Sequence, residues 1–130
     1  MLILRLPFPP SSLMPNRKNG THWAKTNASK TDQFQAARIL TMEALSKTGP
    51  QEWPEKIALS LMYLTPDKRH RDSDNLLAAS KSALDGVAAA LGVDDKRFSP
   101  ILIDKVLGDK NGALIVAVGV TIISSVSFDV

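Results

Sequence analysis

Leu2, Leu4 and Leu6 alternate with Ile3 and Arg5, the period-two pattern of a half-buried strand, and Pro7, Pro9 and Pro10 forbid its continuation. Residues 11–27, SSLMPNRKNGTHWAKTN, are rich in turn formers and basic groups and carry no periodic apolar face, which predicts an exposed loop anchored by Trp23. Phe34, Ala37, Leu40 and Ala44 then recur at helical spacing, so a helix is expected from about Ser29 to Lys47, stopped by Gly49-Pro50. From Ile57 to about Pro66 almost every position is apolar, as in an interior strand covered on both faces. Leu76, Ala83, Leu84, Val87 and Leu91 form the stripe of a second helix, beginning at Asp74 or Asn75 as cap and ending at Gly92. Asp74, Lys81 and Asp85 fall on another face of it.

After Pro100, the run Ile101, Ile103 and Val106 reads as a strand, Gly108 to Gly112 as a turn, and Ala113 to Ile123 as a last strand, the two strands pairing as a hairpin. The expected fold is α+β (mixed α/β), in the order β-α-β-α-β-β, with two helices packed on a four-stranded mixed sheet. At 130 residues with 44% hydrophobic positions the chain suits one domain, residues 1–130, with a sizeable core.

Composition then narrows the chemistry. The absence of cysteine removes disulfides, thiolate-zinc sites and cysteine nucleophiles, and leaves oxygen ligands as the expected metal chemistry. It also fits the cytoplasm as the compartment. Arg5 and three prolines interrupt the apolar opening, so neither a signal peptide nor a membrane segment is expected there. A net charge of +3 discriminates poorly, but its distribution says more: residues 1–31 carry five basic side chains and no acid, and Lys68, Arg69 and Arg71 flank His70 in a second cluster. Either cluster can be a solvated face or a phosphate-binding surface.

The second basic cluster adjoins paired carboxylates, Asp72 with Asp74, and Asp94 with Asp95 follows the second helix. If the backbone is extended before the helix, Asp72 and Asp74 point the same way, as two ligands of one cation must. Magnesium takes one or two carboxylates together with waters and phosphate oxygens, so two or three aspartates suffice. The plainer alternatives are a helix cap with a solvated neighbour, and a polar turn at Asp94-Asp95. A calcium EF-hand loop fails, because Leu76 and Leu77 stand where an oxygen ligand and a glycine are needed. Walker and dinucleotide-binding motifs are absent.

Taken together, Pro9-Pro10-Ser11, Pro15-Asn16-Arg17, His22-Trp23, Arg71-Asp72-Ser73-Asp74-Asn75-Leu76, Leu84-Asp85-Gly86 and Leu91-Gly92-Val93-Asp94-Asp95 resemble the RusA-type Holliday junction resolvases, particularly phage and prophage members. The resemblance covers residues 7 to 98. It implies a small homodimeric endodeoxyribonuclease that uses Mg2+ to cut paired strands of branched, four-way DNA in recombination and repair. It places the catalytic, metal-binding aspartates at Asp72, Asp74 and Asp95. The family's lysine four residues after the second aspartate is replaced by Ala78, and its role passes in this reading to Lys81. The expected DNA contacts are Asn16, Arg17, Lys18, His22, Lys25, Lys68, Arg69 and Arg71. Two rivals stand beside the nuclease: a branched-DNA-binding protein of the same fold with weak or no catalysis, for which Ala78 argues, and a structural domain with capped helices.

Overall fold

The computed structural model describes residues 1–15 and 23–119, with only the backbone of Trp23 and Ala24. The described residues form four strands, β1 (Leu2–Leu6), β2 (Ile57–Thr65), β3 (Phe98–Leu107) and β4 (Ala113–Val118), and three α-helices, α1 (Trp23–Thr48), α2 (Ser73–Ala79) and α3 (Lys81–Leu91). The fold is α+β, with helices over a four-stranded mixed sheet. Alternation in β1 buries Leu2, Leu4 and Leu6, which join Leu59, Leu61, Tyr63, Leu114 and Val116 in one core with Leu76, Leu84 and Val87 of the helices. β2 matches its expected span, and Gly92 ends α3 in the left-handed conformation that glycine adopts without a Cβ penalty.

Three sequence expectations are corrected. The first concerns the end of the chain. The sheet order is β1-β4-β2-β3, so β3 and β4 are not a hairpin: β4 pairs antiparallel with both β1 and β2, and β3 runs parallel to β2 at the edge. The connection between them passes over the end of β2. Gly108 donates its N–H to the Thr65 carbonyl at 2.8 Å, and a Cβ on Gly108 would lie 2.8 Å from that of Leu64. That approach requires glycine. A turn signal identifies a reversal of direction but not the strand that the reversal crosses. The apolar run of β4 has its explanation in this order: all six residues are buried, as a central strand covered on both faces demands.

The second correction is that α1 begins at Trp23, six residues before the expected Ser29, and takes in residues 23–27 of the supposed loop. Asn27, Ser29 and Thr31 are weak helix formers, yet they lie within the helix, where the Thr31 hydroxyl donates to the Asn27 carbonyl at 3.1 Å and Ser12 donates to the Ser29 hydroxyl at 2.9 Å. The third is that the second helix is two helices. Ser80, at φ −100° and ψ 1°, separates α2 from α3. Neither Asp74 nor Asn75 caps α2; Asp72 occupies the cap position in extended geometry, without a side-chain cap bond. Asp74 lies inside the first turn, so the two carboxylates are not alternate residues of one extended segment.

Candidate active site at the break between two helices

The break is built from buried polar groups. Ser80 and Tyr63 are both fully buried. The Ser80 hydroxyl donates to the Leu76 carbonyl at 2.8 Å and lies 2.8 Å from the Tyr63 hydroxyl, which itself donates to Leu76 at 3.2 Å. Burial pushes the Tyr63 phenol up to about 12, against the smaller opposing effect of Ser80. From α1, the Gln33 side-chain amide spans the interruption: Nε2 donates to the Ala79 carbonyl at 3.0 Å, and Oε1 accepts the Ala83 N–H at 3.1 Å. Backbone groups that an interrupted helix would leave unpaired therefore have partners.

Beyond the break, Lys81 opens α3. Its ammonium donates to Asp85 Oδ1 at 2.7 Å and to Asp95 Oδ2. The two carboxylates raise the Lys81 pKa above the ordinary lysine value, Asp85 first, and Lys81 in turn lowers that of Asp95. Asp94 and Asp95 have separate tasks. Asp94 starts the short 3-10 turn Asp95–Arg97 and accepts the Lys96 N–H at 2.9 Å, whereas Asp95 faces the cleft. Asp74, Ala78, Lys81 and Asp95 line one cleft of about 530 Å³ whose floor is Leu77, Leu84, Phe98 and Ile101.

Asp72 lies on a neighbouring cavity of about 520 Å³ with Phe8, Arg69, His70, Arg71 and Asn75. Its Oδ1 is 2.9 Å from His70 Nε2. The loop carrying these residues is held by Asp67. Oδ1 of Asp67 accepts the Arg69 N–H at 2.9 Å and Arg71 Nη1 at 3.0 Å, while Oδ2 takes Arg69 Nη2 and Arg71 Nη2. These contacts, Arg71 foremost, hold the Asp67 carboxyl well below the usual carboxylate range. Arg71 also lies 5.4 Å above the Phe8 ring centre and is only 15% exposed. Its charge is spent within the fold, and Lys105 anchors its carbonyl from β3.

Of the expected DNA contacts, Lys25, Lys68 and Arg69 are exposed, and Arg71 is largely enclosed. Asn16, Arg17, Lys18 and His22 lie outside the described residues. The structure brings Asp74, Lys81 and Asp95 to one cleft and places Asp72 on a separate cavity. Among the described residues no three His, Asp or Glu side chains cluster as a ready metal cage. Asp74 and Asp95 carry hard anionic oxygens of the kind magnesium takes alongside water and phosphate oxygens, and Asp95 is paired here with Lys81. Asp85 shares a helix face with Lys81 in the sequence, and an aspartate four residues after a lysine is the signal for the ion pair. Gln33 carried no sequence signal, because its partners are 46 and 50 residues away.

Fold and site define an α+β domain whose cleft, beside a helix break, carries two aspartates and a lysine on a largely apolar lining. No known protein-family profile matches the chain. It is 31% identical over 108 residues, 82% of its own length and 69% of the relative's, to a protein of Xylella fastidiosa described only as uncharacterized. The chain belongs to the same family as that protein. No helix among the described residues is long and apolar enough to cross a membrane.

Proposed function

We propose that the protein is a cytoplasmic, magnesium-dependent endodeoxyribonuclease of the RusA type, which resolves four-way DNA junctions as a homodimer. The observation that carries this reading is the convergence of Asp74, Lys81 and Asp95 on one cleft, from positions the sequence resemblance assigns to catalysis. Asp74 and Asp95 would hold the cation, with Asp72 nearby at the start of α2. When bound, magnesium supplies an acidified water and neutralises charge on the phosphate. Lys81 orients a phosphate oxygen from the same cleft, and Asp85 holds its ammonium in place. Lys68 and Arg69, exposed on the loop before α2, bind flanking phosphates without reading sequence. The Asp67 contacts fix that loop relative to Asp72.

A second reading, junction binding without cleavage, draws on one observation. Lys81 is engaged by two carboxylates, and Ala78 lines the cleft where the resembled family has its lysine. A synthetic four-way junction incubated with magnesium beside linear duplex separates the two. Paired, symmetric cuts in the junction alone support the nuclease; tight binding with intact strands supports the binder, and indifference to branching ends both readings.

A further inference from the structure

We infer that Gln33 of α1 is a positioning residue for the lysine of the cleft: by bridging Ala79 and Ala83 it keeps the helix broken at Ser80 and so directs Lys81 at Asp95. The inference deepens the proposed nuclease reading and rests on it for its catalytic consequence, but its structural content stands without it. An uninterrupted helix from Ser73 to Leu91 would pair the Ala79 carbonyl with the Ala83 N–H, four residues on. In the protein these two groups are instead the partners of Gln33, which takes the carbonyl at 3.0 Å and the N–H at 3.1 Å. One side chain thus occupies both ends of a missing helical hydrogen bond. It acts as a wedge.

Two further side chains hold the break. Ser80 turns its hydroxyl back to Leu76, and Tyr63 of β2 binds both, all of it inside the core. No buried side-chain nitrogen or oxygen among the described residues is left without a partner, so the interruption leaves no such group unsatisfied. Lys81 is the first residue after this break, and its direction follows from the start of α3. A helix made continuous by loss of the wedge would rotate Lys81 about the axis relative to Asp95, whose turn is fixed separately by the Asp94 cap. Displacements of about 1 Å at a phosphate-orienting group cost on the order of a hundredfold in rate.

Gln33→Leu keeps the side chain's approximate size and removes both bonds. In its crystal structure the Ala83 N–H should bond the Ala79 carbonyl, with the Lys81 ammonium more than about 4 Å from Asp95. A retained break with the Lys81–Asp95 pair intact overturns the inference, whatever the protein does to DNA. On a four-way junction, Gln33→Leu should lower kcat on the order of tenfold or more while KM stays within about twofold. In a Lys81→Met background the same change should cost less than about twofold, because Gln33 acts through Lys81. Equal losses in both backgrounds overturn it too. If the wild type cuts nothing while the variant's helix closes as described, the nuclease reading falls and the positioning role stands. Should Gln33→Leu fail to fold, Gln33→Glu, which keeps the acceptor for Ala83 and loses the donor to Ala79, is put through the same two measurements and the same criteria.

Discussion

Asp74 is the residue on which the chemical reading turns, and its place inside the first turn of α2 makes the test cleaner than the sequence suggested. Because it caps nothing, Asp74→Asn should leave the unfolding midpoint nearly unchanged and, on the proposed function, abolish cleavage and keep junction binding equal or slightly tighter, since one charge that would repel phosphate is gone from the cleft. Loss of binding in a gel-shift titration, together with loss of cleavage, would assign it a folding role. Asp67 links part of the fold's stability to pH. Its folded pKa is depressed by Arg71 and Arg69, so its stabilising contribution is complete above the ordinary carboxylate value. That contribution is lost as pH falls from about 4 toward the folded value. Asp67→Asn should therefore lower stability at neutral pH and converge with the wild type in strong acid, as followed by denaturant unfolding across that range. A difference that persists unchanged in acid would mean that the Arg71 contacts do not depend on the charge.

At the scale of elements, α3 and α1 meet at Gly86. A Cβ there would lie 2.3 Å from the Phe34 carbonyl oxygen and 3.1 Å from both the Ala37 Cβ and the Arg38 nitrogen. The obstruction is backbone, which cannot swing aside. Gly86→Ala should cost about 1–3 kcal/mol by forcing the helices apart, despite alanine's better helix propensity. Chemical denaturation measures it, and a stabilised variant would show that the helices separate freely. The same region shows what the sequence could disclose. The stripe of Leu76, Ala83, Leu84 and Val87 is legible because its period belongs to the local chain, and so are the β2 span and the Gly92 terminus. The break at Ser80 is not legible, since alanine and leucine on either side favour an uninterrupted helix and the groups that break it come from α1 and β2. Likewise Asp95 could be singled out from Asp94 only by resemblance; the structure separates them by giving Asp94 a cap to form. Arg71 shows a basic side chain with a structural task that the sequence does not display. Its place in a basic cluster suggested a DNA contact, while Asp67 and Phe8 enclose it.

For the whole molecule, the proposed symmetric cutting of a four-way junction requires two active sites related by a two-fold axis, which a second copy of the chain would supply. The apolar run from Ala113 to Ile123, with the strand before it and the adjacent sheet face, is where the sequence offers material for a second copy. The described part of that run, β4, lies between β1 and β2 with every residue buried, so it offers no interface. Exposed apolar side chains are found instead on the edge strand β3, where Leu102 and Val106 share the sheet face of Ser60 and Leu64 by register and Leu107 ends the strand. Extension of the sheet by backbone pairing is hindered there. Pro100 has no N–H to give, and the Asp104 carboxylate takes the Lys105 N–H at 2.8 Å. A second copy would therefore pack side chain against side chain on the outer face of β3 rather than add a strand to its edge. Leu102→Glu combined with Val106→Glu should convert a dimer into a monomer in sedimentation at micromolar concentration, with little change in monomer stability because both side chains are about half exposed. It should also replace paired cuts in the junction by single nicks. A wild-type chain that sediments at 14.1 kDa and still makes paired cuts would exclude the dimer; a double variant that stays dimeric would move the interface off β3.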